Sequence, residues 1–324
     1  MGEAGVSTFW AAEQLDQQRA RFAAFGIHEM RRVFSVAEQH EIRAEAEALL
    51  SSSARETRQD ALRNDGSSVV HSVERSPVLT RLLLEDGRIR NVVANLLGDD
   101  FIWCGSELER AAEVSHHEPE LLTAHRLPQN YNEHGWHSDR HGTRECAYPR
   151  LKFMMYLTHT SPTKGALRII AGSHRPPFHY RLSALQATHP GITATESWRD
   201  ATFGIAGDCL PSHIFCAEPC DAILFHQSCF HAVYGHQPGR TYIAMKFAAR
   251  PRTDEELACL GNRGAYAFEP HPNLELASAH PAVRNMVRGL RSLASAAENA
   301  LSRDSTFAEQ EGFGVDIGYG APRL

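Results

Sequence analysis

The sequence predicts a mainly β fold, in which one β-core lies between two helical parts of the chain. Apolar residues recur at helical spacing in the first part, residues 1–98. In residues 99–252, short apolar runs alternate with Gly, Pro, Asn and His turns, which is typical of a β-sandwich or barrel. Helical composition returns in residues 253–324. The chain has no internal repeat, so we expect a single domain over residues 1–324.

The N-terminal part is predicted to contribute helices and one strand. Ser35 and Glu38 have the spacing of a capping box, in which both side chains bind free amide groups at the start of a helix. The Glu-, Ala- and Leu-rich segment that follows favours a helix. The predicted elements are, in order, a helix over 9–24, a strand over 27–34, a helix from Ser35 to about Leu50, a surface loop over 51–76 and a helix over 77–97.

Five apolar runs predict the strands of the core, because Ile, Leu, Phe and Met suit strands with buried faces. Residues 176–220 have a weak pattern and are predicted to form an insertion with a short helix near 181–187. Beyond the core we expect a helical turn at TDEELACL, a long helix over 281–303 and a Gly-rich tail. The five runs are FIWC, LKFMMYLT, ALRIIAG, AILFH and YIAMKFAA.

Composition excludes several classes of function. The net charge is −6 and no block of Lys and Arg is present, which argues against nucleic-acid and anionic-membrane partners. No apolar run approaches the roughly 20 residues of a membrane helix, and the N-terminus lacks the layout of a signal peptide. The seven cysteines include no CxxC pair, which favours reduced thiols and a cytoplasmic location. Cys216, Cys220 and His213 form a weak zinc pattern that lacks a second ligand pair.

The segment NEHGWHSDRHG, residues 132–142, carries the main chemical signal. His137 and Asp139 flank one residue, so on a strand both side chains point to the same face and can bind one ion. Two histidines and one carboxylate form the facial triad of non-haem iron(II) oxygenases, which leaves coordination positions open. The pair alone is weak evidence in a chain with 19 histidines, and the third ligand must come from elsewhere.

Residues 221–247 read as strand, turn and strand, and they supply the missing groups. His231 and His226 are both candidates for the third ligand. Arg240 follows nine residues after His231, and its planar guanidinium suits a carboxylate. A metal at one end and an arginine at the other would together hold a small dicarboxylate. Trp136 points away from the metal on a regular strand and is expected to pack in the core.

Four stretches resemble the phytanoyl-CoA dioxygenase family of iron(II)- and 2-oxoglutarate-dependent oxygenases. They are RFAAFGIHEMRRVFSVAEQHEIRAEAEALL, WHSD, GALRIIAGSHRPP and DAILFHQSCFHAVYGHQPGRTYIAMKF, and they occur in the family's order. The resemblance implies a double-stranded β-helix core of the jelly-roll or cupin type. It further implies iron(II) at His137, Asp139 and His231, with 2-oxoglutarate as co-substrate anchored by Arg240. Dioxygen would be consumed, and succinate and CO2 released.

The resemblance favours His231 over His226 as the third ligand. In the family, the ligand follows a segment similar to CF, which precedes His231 here, whereas His226 follows the apolar run AILF. The family's Asn-x-Ser after the distal histidine is replaced here by residues 233–236, VYGH. Lys152 and Tyr242 could help to hold the co-substrate, and Gln129, Asn130 or Asn132 could reach its 1-carboxylate.

The expected substrate is a small molecule, and the expected protein is a monomer or homodimer. An Ala- and Arg-rich composition indicates a bacterium with a GC-rich genome, which suggests specialised metabolism. Two alternatives remain at this point. One is a zinc-dependent hydrolase that uses the same triad. The other is a non-catalytic cupin-like binding protein.

Overall fold

Two antiparallel sheets form the centre of the molecule. The computed structural model describes residues 12–56, 67–111, 134–140, 146–188, 209–235, 237–260, 274 and 280–303. The strands within these residues are β1 (Ile27–Met30), β2 (Ser67–Val70), β3 (Phe101–Arg110), β4 (His134–His137), β5 (Arg150–Tyr156), β6 (Ala166–Ile169), β7 (His213–Phe215), β8 (Ala222–His226), β9 (His231–Tyr234) and β10 (Thr241–Ala249).

The larger sheet has the order β1-β8-β5-β10-β3-β2, and the smaller sheet has the order β4-β9-β6-β7. Every pairing that joins these strands is antiparallel. The sequence prediction of a mainly β fold with flanking helices is therefore confirmed.

The helices are found mainly before β3 and after β10 in the chain, with one between β6 and β7. They are Ala12–Phe25, Val36–Glu56, Ser72–Arg75, Pro77–Leu79, Gly87–Leu97, Phe178–Thr188, Asp254–Leu260, Pro281–Val287 and Leu290–Arg303, with a π-helix at Thr80–Glu85. The capping box is formed as predicted: Ser35 N–H donates to Glu38 Oε2 at 2.7 Å, and Glu38 N–H donates to Ser35 Oγ at 3.3 Å. Among the described residues, no helix is long and apolar enough to cross a membrane.

Several predicted boundaries were wrong for local reasons. The strand predicted over 27–34 ends at Met30, and Arg32 then adopts a left-handed conformation with φ 52°. The predicted loop over 51–76 contains the end of the second helix, strand β2 and a short helix. The predicted insertion over 176–220 contains β7, which pairs with β6. That strand has three residues, too few for a clear alternating pattern.

Side chains on the core strands divide the interior into two packed layers. One face of the larger sheet packs against the helices through a large cluster that includes Trp103, Phe153 and Phe247. Its opposite face packs against the smaller sheet through Met154, Tyr156 and other apolar side chains. The outer face of the smaller sheet carries Trp136, which is fully buried, as predicted for a core residue. The space between the sheets is therefore the enclosed position for a site.

Candidate metal centre

Neighbouring strands of the smaller sheet bring the two predicted histidine ligands together. β4 pairs with β9, and in that register His137 lies opposite His231. Their ring centroids are 4.2 Å apart. Trp136 points to the outer face of this sheet, so His137 points between the sheets, as strand alternation requires. Asp139 lies in a bend just beyond β4.

The carboxylate of Asp139 lies close to both imidazoles. Its Oδ1 is 3.9 Å from His137 Nε2 and 3.7 Å from His231 Nε2. Ligand atoms of the three side chains all lie within 4.8 Å of one another. Two atoms that bind one ion at about 2.1 Å each can be at most about 4.2 Å apart, and both measured distances are shorter. The carboxylate can therefore share one ion with either imidazole, and the donor set, two imidazole nitrogens and one carboxylate oxygen, is that of a facial iron(II) triad.

Burial and charge set the protonation states at this site. Burial alone would raise the pKa of Asp139, but Lys152, His231 and His137 outweigh it and hold the pKa well below the usual value. Burial, with His137 nearby, lowers the pKa of His231 from 6.5 to about 3. An ionised carboxylate and a neutral imidazole are the forms that bind a metal.

His231 is also held in the tautomer that suits a ligand. Its Nδ1–H donates to the carbonyl oxygen of Cys229 at 2.9 Å, so Nε2 carries the lone pair and faces Asp139. His226, the alternative third ligand, is engaged elsewhere: its Nδ1 accepts from Ser228 N–H at 3.2 Å, and its ring stacks on His174. Within the described ranges, the triad is the one converging group of potential metal ligands, and Cys216, Cys220 and His213 form no second one.

Comparisons with known proteins agree with this geometry. The sequence pattern of the phytanoyl-CoA dioxygenase (PhyH) family matches residues 6–237. The chain belongs to the phytanoyl-CoA dioxygenase family. This membership confirms the predicted enzyme class, a non-haem iron- and 2-oxoglutarate-dependent dioxygenase. No curated protein sequence matches the chain.

Among solved structures, HygX from Streptomyces hygroscopicus, with nickel and 2-oxoglutarate bound, has a TM-score of 0.52 at 19% identity, over 75% of this chain and 89% of HygX. EctD from S. alaskensis with bound Fe has a TM-score of 0.49 at 21% identity, over 76% of this chain and 79% of EctD. The likeness to HygX shows a shared fold, the double-stranded β-helix predicted from the resemblance.

Arg240 is the residue that the sequence predicts to anchor the co-substrate of this phytanoyl-CoA dioxygenase family member. It lies just before β10 and is buried, with 3% of its surface exposed. Its Nη1 donates to the carbonyl oxygen of Gly165 at 2.9 Å. Its Nε is buried without a hydrogen-bond acceptor among the described residues. Its guanidinium also lies 5.8 Å from the centre of the Tyr242 ring. A buried guanidinium with an unused donor favours an incoming anion.

Tyr156 is a residue that the sequence analysis missed. It lies on β5 directly opposite Tyr242 of β10, and its ring faces the space between the sheets. Its buried hydroxyl has no hydrogen-bond partner within the described part of the chain. Arg240 is close enough to Tyr156 to lower its pKa, although burial is the larger effect and the net shift is upward. The strand pairing with Tyr242, visible only in the structure, is what places Tyr156 near Arg240.

The other predicted co-substrate contacts have mixed outcomes. Tyr242 donates its hydroxyl to Glu109 on β3. Lys152 Nζ donates to Asp139 Oδ2 at 3.1 Å, so it lies at the metal centre. Gln129, Asn130 and Asn132 lie outside the described residues, and their predicted contacts stay predictions.

Proposed function

We propose that this dioxygenase holds iron(II) with His137, Asp139 and His231, and that it hydroxylates an unactivated C–H bond of a small molecule. The observation that supports this best is the convergence of the three ligand atoms within 4.8 Å of one another. When bound, iron(II) and 2-oxoglutarate supply the oxidising power from dioxygen, with succinate and CO2 as products. The chain's own residues hold, orient and enclose these reactants.

Arg240 is the proposed anchor for the distal carboxylate of 2-oxoglutarate. Its buried Nε has no acceptor among the described residues, and the buried Tyr156 hydroxyl nearby is also unsatisfied. A carboxylate has two acceptor oxygens, so it can bind both donors at once. The co-substrate would supply the acceptor that the buried Nε lacks and bring a negative charge to the guanidinium.

Asp139 favours oxygenation over halogenation, because its carboxylate takes the metal position that a halide would need. The finer proposal is a bacterial enzyme of specialised metabolism in the cytoplasm, active as a monomer or homodimer. The composition of the chain supports the bacterial source, and genes beside this one would test the metabolic setting.

The first prediction concerns the co-substrate reaction without any added substrate. Purified protein with iron(II), ascorbate and 2-oxoglutarate labelled at its 1-carboxyl carbon should release labelled CO2 and succinate in air. His137→Ala and Asp139→Ala should each reduce this release by at least about 100-fold, since each removes a metal ligand. Circular dichroism should show that both variants stay folded.

Labelled CO2 from either variant at the wild-type rate would contradict the ligand assignment. A zinc-dependent hydrolase would release no CO2 from 2-oxoglutarate and would act on its own substrate under nitrogen. A non-catalytic binding protein would give no succinate in air or under nitrogen.

A further inference from the structure

Lys152 lies on the inner face of the larger sheet, opposite the metal ligands. Strand pairing places it beside Phe225 of β8 on one side and Lys246 of β10 on the other. Its side chain is 15% exposed, and its Nζ donates to Asp139 Oδ2 at 3.1 Å. The contact therefore joins the two sheets across the site.

The two oxygens of Asp139 face different partners. Oδ1 faces both imidazoles, at 3.9 Å from His137 Nε2 and 3.7 Å from His231 Nε2. Oδ2 accepts from Lys152. Asp139 lies in a bend after β4, so no ladder pairing fixes its backbone in the way that pairing fixes His137 and His231. A side-chain partner is therefore needed to set the rotation of its carboxylate.

We propose that Lys152 is a positioning residue, which holds Oδ2 of Asp139 so that Oδ1 alone binds the metal. The inference rests on the proposed function, because it assumes that the triad binds the ion. A carboxylate that binds through one oxygen occupies one coordination position. The positions that the facial triad leaves open are then kept for 2-oxoglutarate and dioxygen.

Lys246 provides the matched comparison for Lys152. It is the cross-strand neighbour of Lys152 in the β5–β10 pair, and it carries the same charge. Its Nζ donates to Glu107 Oε2 at 3.1 Å. Glu107 is not one of the three proposed metal ligands. Substitution of either lysine by methionine removes one positive charge near the site. Only the substitution of Lys152 also removes the bond to Asp139.

The sign of the effect separates positioning from simple charge. A positive charge repels a metal cation, so loss of Lys152 through charge alone would tighten metal binding. Loss of a group that orients a ligand weakens metal binding, typically by about 10- to 100-fold. The two explanations therefore predict opposite changes.

The test uses Co(II) alone as the probe, added under nitrogen to the metal-free full-length protein. Visible absorption of bound Co(II) gives both the Kd and the coordination of the ion. We expect Lys152→Met to raise the Kd by about 10- to 100-fold and to change the absorption of the bound form. Lys152→Arg retains a donor and should recover most of the affinity and the wild-type spectrum. Lys246→Met should stay within about threefold of wild type and keep its spectrum.

Unchanged or tighter Co(II) binding by Lys152→Met overturns the proposal, as does an equal loss in Lys246→Met. Should Lys152→Met fail to fold, Lys152→Leu, which also lacks a donor, is measured instead, with the same expected loss. His137→Ala distinguishes this result from failure of the proposed function. Co(II) binding by His137→Ala at the wild-type Kd would overturn the triad itself, whatever Lys152 does.

Discussion

At the scale of single residues, the place of the Arg240 side chain depends on Gly165. Gly165 has φ +65°, and a Cβ added there would lie 2.8 Å from Arg240 Cδ and 3.3 Å from Arg240 Nη1. The carbonyl oxygen of the same glycine accepts from Arg240 Nη1. The absence of a side chain at position 165 therefore allows the guanidinium to lie between the two sheets.

Gly165→Ala should weaken 2-oxoglutarate binding, because the new methyl group would displace Arg240 from its proposed carboxylate site. We expect the KM for 2-oxoglutarate to rise about tenfold, equivalent to about 1.4 kcal/mol, while Co(II) affinity stays unchanged. Gly239→Ala is the control, since Gly239 has φ +70° next to Arg240 but no atom within 4 Å of an added Cβ. Equal KM values in the two variants would contradict this account.

The sequence predicted the residues with distinctive chemistry but could not predict their contacts. His137 and Asp139 were recognisable because one residue separates them, and His231 and Arg240 because their segment resembles the family. The sequence left Lys152 as one residue that could help to hold the co-substrate, and the structure adds that its Nζ bonds Asp139 across the interior. Tyr156 gave no signal, because an aromatic residue in an apolar run reads as core. Both contacts depend on how separate strands face each other, which no local pattern encodes.

At the scale of elements, Gly26 joins the start of β1 to the turn between β8 and β9, which precedes His231. Its carbonyl oxygen accepts from His226 N–H at 3.0 Å and lies 3.7 Å from Cys229 Sγ. Cys229 in turn orients His231 through its own carbonyl oxygen. A Cβ at Gly26 would lie 2.6 Å from both Cys229 Sγ and His174 Nδ1. Both neighbours are buried, so neither can move freely.

Gly26→Ala should destabilise the protein by about 2–4 kcal/mol, because a left-handed alanine and a steric overlap both oppose folding. It should also weaken Co(II) binding, since the displaced Cys229 carbonyl would no longer orient His231. Gly289→Ala is matched for backbone strain: its φ is +71°, and an added Cβ meets nothing within 4 Å. Urea unfolding measures the difference. A loss no larger than that of Gly289→Ala would refute the overlap.

The sequence predicts the boundary of a helix where a sequence motif marks it, such as a capping box. It does not predict a boundary that depends on the backbone conformation of one residue. The capping box at Ser35 and Glu38 identified its helix start. The helix predicted over 77–97 is interrupted at Asp86, which is extended with ψ 129° and caps the next helix by accepting from Arg88 N–H. The long C-terminal helix is divided near Gly289, which has a positive φ. Periodicity continues across such breaks because both halves pack on the same core.

At the scale of the whole molecule, composition and motif order were enough for the fold class. The alternation of short apolar runs predicted a β-core, and the family resemblance predicted how its strands are arranged. β2 and β7 were missed, since one lay in a polar region and the other has three residues. The sheet order joins strands far apart in sequence, such as β1 with β8. The predicted division into one domain over 1–324 stays a proposal.

Two buried histidines from different sheets stack on each other. His226 ends β8 of the larger sheet, and His174 lies in the turn after β6 of the smaller sheet. Their rings stack with centroids 4.9 Å apart, and each residue is 8% exposed. Burial, with His174, His179 and Arg150 nearby, lowers the pKa of His226 from 6.5 to about 3. Burial lowers the pKa of His174 from 6.5 to about 4.

Stability should therefore fall as the pH drops below about 6.5, since the unfolded chain binds protons at these histidines before the folded protein does. Above pH 6.5 both states are neutral there, and the contribution is fully present. Between about pH 6.5 and 4, each histidine should lower the free energy of unfolding by about 1.4 kcal/mol per pH unit. Urea unfolding of metal-free protein at several pH values in this window measures the slope. His226→Asn should remove about one bound proton from this pH dependence, that is, about 1.4 kcal/mol per pH unit of the slope. If His226→Asn has the wild-type slope, protonation of His226 does not contribute to the pH dependence of the free energy of unfolding.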